Sequence, residues 1–328
     1  MSILLKLKNM NFNLLIENLT NPALLFFVLG IIAVKLKSDL EIPPNSSKFI
    51  SLYLLFSIGF KGGQELAHSH FSTEIIWTIL FGMFLAFIIP FYTFFILKRK
   101  LSIENAGAIA AAYGSVSAVT FVTGIAFLES HKLTSDGHMV AVMALMEAPA
   151  IIVGVVLIRV FGNGSKKSET KLSSLVGHSF TNGSVLLILG SLIIGLIANE
   201  KAAEGIKPFT NDLFKGFLAI FLLDMGIISG RKLNDFFKNG WFTALFAILI
   251  PLINGCIVAY TSQFITPEVG NRFMLAVLAA SASYIAVPAA MKIAVPNANP
   301  SIYLPMALAV TFPFNITIGM PIYLSIIW

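Results

Sequence analysis

Four stretches of this sequence carry no charged residue and are each longer than a bilayer core is thick: Ile75–Leu97, Asn105–Leu128, Trp241–Pro267 and Ile293–Trp328. A helix of about 20 apolar residues crosses the hydrocarbon core. A soluble fold would have to hide all of these segments. Only 12% of the 328 residues are charged and 57% are hydrophobic, against about 25% charged in ordinary soluble domains. The bilayer is therefore the solvent, and the expected fold class is an all-α polytopic membrane protein.

The formal charge of +6 does not point to nucleic acid, because the cations cluster in short loops between apolar runs, as the positive-inside rule requires. Cys256 lies in an apolar run and reads as a small core residue, and a lone cysteine builds no disulfide scaffold. His68-Ser69-His70 lacks a third metal ligand and reads as a solvated turn. Met1–Asn18 mixes Lys6, Lys8 and Glu17 with Leu, Ile and Phe, which suits an interfacial amphipathic helix rather than a signal peptide.

Ten spans are expected. The first half gives Pro22–Lys35, Lys48–Leu66, Ile75–Leu97, Glu104–Leu128 and His138–Phe161. The second gives Ser184–Asn199, Phe209–Ile228, Trp241–Ser262, Arg272–Lys292 and Ile302–Ile327. This divides the chain into 1–161, a polar linker at 162–183 containing GNGSKKSETK, and 184–328. Ten spans put both termini on one face. That face carries eight of the 22 Lys and Arg residues and the opposite face fourteen. The richer face is normally cytoplasmic, so both termini are expected outside and the linker inside.

The halves resemble each other. SIGFKGGQEL (Ser57–Leu66) aligns with DMGIISGRKL (Asp224–Leu233), and IIP (Ile88–Pro90) with LIP (Leu249–Pro251). AAYGSVSAV (Ala111–Val119) aligns with AASASYIAV (Ala279–Val287). MALMEAP (Met143–Pro149) aligns with MALAVTFP (Met306–Pro313), with one residue inserted. The four pairs keep their order at separations of 161 to 168 residues. Five spans is an odd number, so the second copy must be upside down relative to the first. Inverted five-helix repeats are the architecture of many secondary transporters.

The fourth span of each half, the fourth and ninth helices, contains a small polar interruption: residues 113–120 (YGSVSAVT) and 281–288 (SASYIAVP). Gly, closely spaced Ser and Pro weaken a helix there. Unwound backbone in lipid persists only around a buried or water-lined site. The half-helices that follow present N-terminal amides, which favour anions, and serine hydroxyls can donate to an anion or accept around a hard cation. Small residues also permit close helix packing; two such segments at equivalent repeat positions favour a binding site.

Two acids interrupt apolar spans, Glu147 and Asp224. A carboxylate near the bilayer centre costs at least ~2.5 kcal/mol and is functional by default. Either could ligate sodium, relay a proton or pair with Lys61; Asp224 could instead cap a break before Gly226. Glu147 aligns with Thr311, followed by Asn315, and all three bear oxygen. Lys61 alone reads as a snorkelling residue at a helix end.

FKGGQEL (Phe60–Leu66), AAYGSVSAVTFVT (Ala111–Thr123), GHMVAVMALMEAPAIIVG (Gly137–Gly154), LDMGIISGRKL (Leu223–Leu233), AASASYIAVPAAM (Ala279–Met291) and LPMALAVTFPFNITIGMPIY (Leu304–Tyr323) resemble the sodium-dependent bicarbonate transporter family over nearly the whole chain. The resemblance implies sodium-coupled bicarbonate uptake across a bacterial inner membrane by a homotrimer, with a core domain moving against a gate domain as an elevator. It implies a site formed by Ser115, Ser117 and Thr120 facing Ser281, Ser283 and Tyr284. Sodium ligands are expected among Ser115, Ser117, Thr120, Ser283 and Glu147. It also implies a PII-like regulatory protein on the cytoplasmic face, although the central loop is shorter than in the members so regulated. No organic cofactor is expected; sodium is the coupling ion.

The same scaffold could carry another small anion or cation, or exchange sodium for protons, and Glu147 and Asp224 keep exchange open. A channel predicts flux without saturation. The chain lacks a Walker-A loop for an ATP-driven pump, and it lacks a nucleophile–base–orienter set for a membrane enzyme.

Overall fold

The computed structural model describes residues 16, 18–68, 72–162, 177, 181–237 and 240–328. Most of the expected interfacial helix at Met1–Asn18, the linker at 162–183 and Ser69 and His70 lie outside the described residues. Among the described residues there is helix and no strand. The helices are α1 Pro22–Lys35, α2 Pro44–His68, α3 Thr73–Leu97, α4 Ile103–Gly114, α5 Ala118–Ser130 and α6 His138–Phe161. The second half contributes α7 Gly183–Ile197, α8 Glu200–Lys207, α9 Phe214–Phe237, α10 Trp241–Thr261, α11 Val269–Ala280 and α12 Ala286–Ala294. The last, α13 Pro300–Ile327, is one helical rod with π-helical stretches at Met306–Thr311 and Asn315–Gly319.

Among the described residues, six stretches are long and apolar enough to cross a membrane by themselves: Thr73–Leu97, Ile103–Ser130, His138–Phe161, Glu200–Leu233, Trp241–Phe264 and Pro300–Ile327. Of the remaining expected spans, α1, α7 and α11 have 14, 15 and 12 residues, short for a core of ~30 Å at 1.5 Å per residue. α2 has 25 residues, but its FKGGQEL end is polar. Apolar side chains face outward in stripes. On α3, Trp77, Leu80, Phe84, Phe87 and Phe91 are exposed, and on α10 Trp241, Leu245, Leu249, Ile253 and Ile257 are exposed. Helical spacing of exposed apolar residues is the mark of a lipid-facing surface.

The helices pack as two bundles. In the first, α1 lies along α9 and α2 along α7, each held by glycines. A methyl group on Gly59 or Gly63 would run into the backbone carbonyls of Ile188 or Leu192, and one on Gly30 or Gly226 into those of Leu223 or Phe27. Residue numbers rise together on both partners, so each pair is parallel. Lipid supplies no hydrophobic drive for association, and close backbone approach at small residues replaces it. The second bundle packs α3 with α4 and α6, and α10 with α11 and α13; α5 contacts α11, and α12 contacts α6.

Asp224 sits inside the uninterrupted α9, so no break precedes Gly226. The glycine is there for its contact with the Phe27 carbonyl. Asp224 accepts instead a hydrogen bond from the Ser47 hydroxyl at the start of α2.

Candidate functional site

Both expected interruptions exist. α4 stops at Gly114, whose missing side chain lets the helix end close against the Pro90 ring. Ser115 is extended (φ −84°, ψ −176°). Ser117 then caps α5, its Oγ accepting from the Thr120 amide at 3.1 Å. Such a cap satisfies one of the four orphan N–H groups at a helix start. α11 stops at Ala280, residues 281–285 are non-helical, and α12 begins at Ala286. The Ser283 Oγ accepts a longer bond, 3.4 Å, from the Val287 amide, and Pro288 has no amide to satisfy.

The two interruptions tie each other off. Ser283 N–H donates to the Ala112 carbonyl of α4 at 2.8 Å. Ser117 N–H donates to the Ser281 Oγ at 3.1 Å, and that hydroxyl donates to Leu278 at 2.9 Å. The Asn315 amide donates to the Ala280 carbonyl at 2.7 Å. Helix ends broken inside a membrane need partners for their free carbonyls; the second half supplies one to Ala112 of the first, and Asn315 of the last helix supplies one to Ala280.

Between the two starts lies a cavity of about 20 Å³, lined by Ser117 and Ala118 of the first interruption, Ser283, Tyr284 and Ala286 of the second, Glu147 of α6 and Ser184 of α7. That volume holds one water-sized body. The first residues of α5 and α12 both line it, so two helix N-termini face it. Glu147 is 7% exposed, and its Oε2 has no hydrogen-bond partner among the described residues. A buried charged oxygen without a partner is costly. Four hydroxyl-bearing side chains and one carboxylate around so small a volume form a donor set for a hard cation such as sodium. The amides beside them favour an anion.

The cavity brings together Ser117, Ser283, Tyr284 and Glu147 from the expected set. Ser115 lies two residues before Ser117, buried and with its Oγ unpartnered among the described residues, but does not line the cavity. Thr120 sits in the first turn of α5, and Ser281 serves as the link described above. The Thr311 hydroxyl bonds with Tyr113 OH at 2.7 Å and donates to Ala247 at 2.8 Å. Asn315 joins Ala280 to Tyr323 OH, the latter at 2.9 Å. Asp224 engages Ser47, with Tyr284 nearby, its hydroxyl 3.7 Å from the Met225 sulfur. Ser184 is the lining residue that the sequence did not single out.

Lys61 pairs with neither Glu147 nor Asp224. Its Nζ is 2.7 Å from Glu129 Oε1, beside a second cavity of about 270 Å³ between α2, α5 and α9. That space is larger, yet the helix starts and Glu147 converge on the smaller one, which is therefore the candidate binding site. No group of three or more His, Cys, Asp or Glu residues suited to a metal occurs among the described residues, so a tightly held transition metal has no cluster here.

No individually curated protein matches the chain significantly. A family model, described as the Na+-dependent bicarbonate transporter superfamily, matches residues 22–328. The match takes in both interruptions, both glycine-lined helix pairs and Glu147. The chain thus belongs to the Na+-dependent bicarbonate transporter superfamily.

Proposed function

We propose that this protein is a sodium-coupled bicarbonate importer working by alternating access. The observation that carries the proposal is the small cavity where two helix starts, four hydroxyl-bearing residues and the unpartnered Glu147 oxygen meet. Sodium binds to Glu147 with hydroxyls of Ser117, Ser283 and Ser184, which neutralises the buried carboxylate. Bicarbonate, a monovalent anion with three oxygens, then takes the amides at the starts of α5 and α12 and whichever hydroxyls sodium leaves free. Binding sodium first makes the anion site more favourable. A cavity of one-water size must widen to accept the anion, and separation of the two interruptions from Ser184 supplies the room.

Ten crossings in two inverted halves, 1–161 and 184–328 about a cytoplasmic linker, underlie this cycle, with both termini outside a bacterial inner membrane. The packing supports the repeat. α1 and α7 head the two halves, and α2 and α9 hold matching later positions. The contacts α1–α9 and α2–α7 are then one glycine contact seen twice with the halves exchanged, as a two-fold axis would give. The bundle of α1, α2, α7 and α9 is the gate, and the bundle carrying the interruptions is the moving core. A homotrimer and a PII-like partner on the cytoplasmic face, both implied by the resemblance, are part of the proposal.

One sodium per bicarbonate moves no net charge, leaving ~1.4 kcal/mol per tenfold sodium gradient as the drive; a second sodium adds ~2.3 kcal/mol per 100 mV. The test is labelled bicarbonate uptake into proteoliposomes with an imposed sodium gradient, against potassium. Saturable, sodium-requiring uptake supports the importer. Uptake driven by a pH step without sodium would move the coupling to protons at Glu147, and none at all would move the cargo to another small ion.

A further inference from the structure

Glu129 lies in the last turn of α5, the helix whose first residues line the small cavity. At 1.5 Å per residue it stands roughly 16 Å from the start of that helix, so a rigid rod joins it to the site. Its oxygens face two lysines of the other bundle: Lys61 of α2 at 2.7 Å and Lys215 of α9 at 3.9 Å. Three further ion pairs, His68–Glu200, His138–Asp136 and Arg231–Glu41, do not link α5 to the gate helices. Glu129 thus ties the two bundles by charge, on the helix that carries the site.

We propose that Glu129 is a positioning residue, and that Lys61–Glu129–Lys215 is a clasp that sets α5 against the gate bundle and opens once per transport cycle. This rests on the alternating-access reading above. The Lys61 and Glu129 side chains are 37% and 23% exposed, so water screens the pair and its contribution is modest. A modest tie suits a contact broken at every turnover. The 270 Å³ cavity that Lys61, Glu129 and Lys215 line gives the side chains room to part.

The test uses the full chain with Cys256→Ala. Lys61→Cys with Glu129→Cys is joined by a short bifunctional methanethiosulfonate and assayed for sodium-driven bicarbonate uptake. Gln64→Cys with Ala198→Cys, both within the gate bundle, is the control. Linking the first pair should arrest uptake, reductant should restore it, and linking the control pair should leave it unchanged. A linked Lys61/Glu129 pair that still transports overturns the clasp alone. Absent uptake by the wild-type chain in the same vesicles sinks the carrier reading and the clasp with it. Charge exchange gives a second reading. Lys61→Glu and Glu129→Lys should each lower the maximal rate about two- to fivefold, with half-saturation unchanged, and the triple variant Lys61→Glu, Glu129→Lys, Lys215→Glu, which exchanges all three charges, should recover. Raised half-saturation in the singles, or no recovery in the triple variant, would overturn the proposal.

Discussion

The first interruption leaves three residues unwound, 115–117, and the second leaves five, 281–285. The first is wholly buried and closes on a serine cap, whereas the second holds the longer Ser283 bond and leaves Ile285 41% exposed. Sequence kinship is plain at both, so the difference belongs to their surroundings. The first is sealed by Pro90 and by the crossing chain. The second faces Met225 and Asp224 of the other bundle. Two similar segments thus play unequal parts in this conformation, and the alternating-access cycle proposed above requires that inequality to reverse.

The inequality is sharpest at Glu147 and Thr311, aligned residues with opposite fates. Glu147→Gln should raise the sodium half-saturation of uptake about ten- to hundredfold, the equivalent of ~1.5–3 kcal/mol for a charged contact. Thr311→Val should leave sodium dependence alone and lower thermal stability by ~1–3 kcal/mol, because Tyr113 OH loses its partner in the core. A sodium curve shifted equally by both changes would make the halves functionally symmetric. A sodium curve unmoved in Glu147→Gln would reduce that residue to a structural one.

The glycine contacts separate the halves by a smaller margin. Gly63→Ala drives a methyl into the Leu192 carbonyl, which cannot move without its helix. Its counterpart Gly230 meets only the Val34 side chain, at 3.1–3.4 Å. Overpacking costs ~1–3 kcal/mol, so Gly63→Ala should cut the yield of folded protein on size exclusion in detergent, and Gly230→Ala should hardly change it. Equal losses would show that the two pairs are equally tight. The smallest contrast is at the caps. Ser117→Ala should cost ~1 kcal/mol of stability and raise the apparent bicarbonate or sodium constant. Ser283→Ala, with its weaker cap bond, should affect the constant alone. Unchanged transport in both would remove these serines from the site.

Much of the helix layout was legible because lipid imposes a length and forbids charge. α1 and α6 have the expected bounds, and both interruptions fall where Gly, Ser and Pro accumulate. The partner of Lys61 was not legible, since Glu129 lies in a different helix 68 residues on and only packing brings them together. Ser184 was hidden for the same reason: nothing local distinguishes it from a helix-start serine. The π-helical stretch at Met306–Thr311 carries ordinary helix formers, yet it had left a trace. MALAVTFP holds one residue more than MALMEAP, and a π turn absorbs one extra residue within a helix. That extra residue accompanies the turn of Thr311 toward Tyr113, where Glu147 turns to the cavity.

The pairing of α1 with α9 and of α2 with α7 also has a consequence for biogenesis. α2 ends at His68, and its glycine groove is cut for a helix that ends at Ile197. At 5–20 residues per second the ribosome takes on the order of ten seconds to supply it, and α1 waits longer for α9. During that interval the early helices lie in the bilayer with lipid, or a membrane chaperone, filling grooves meant for later chain. Neither half can complete its own pairs, so the nascent protein matures only as its last third is inserted. A ribosome stalled in the linker would leave a fragment with its grooves open to any small-residue helix nearby.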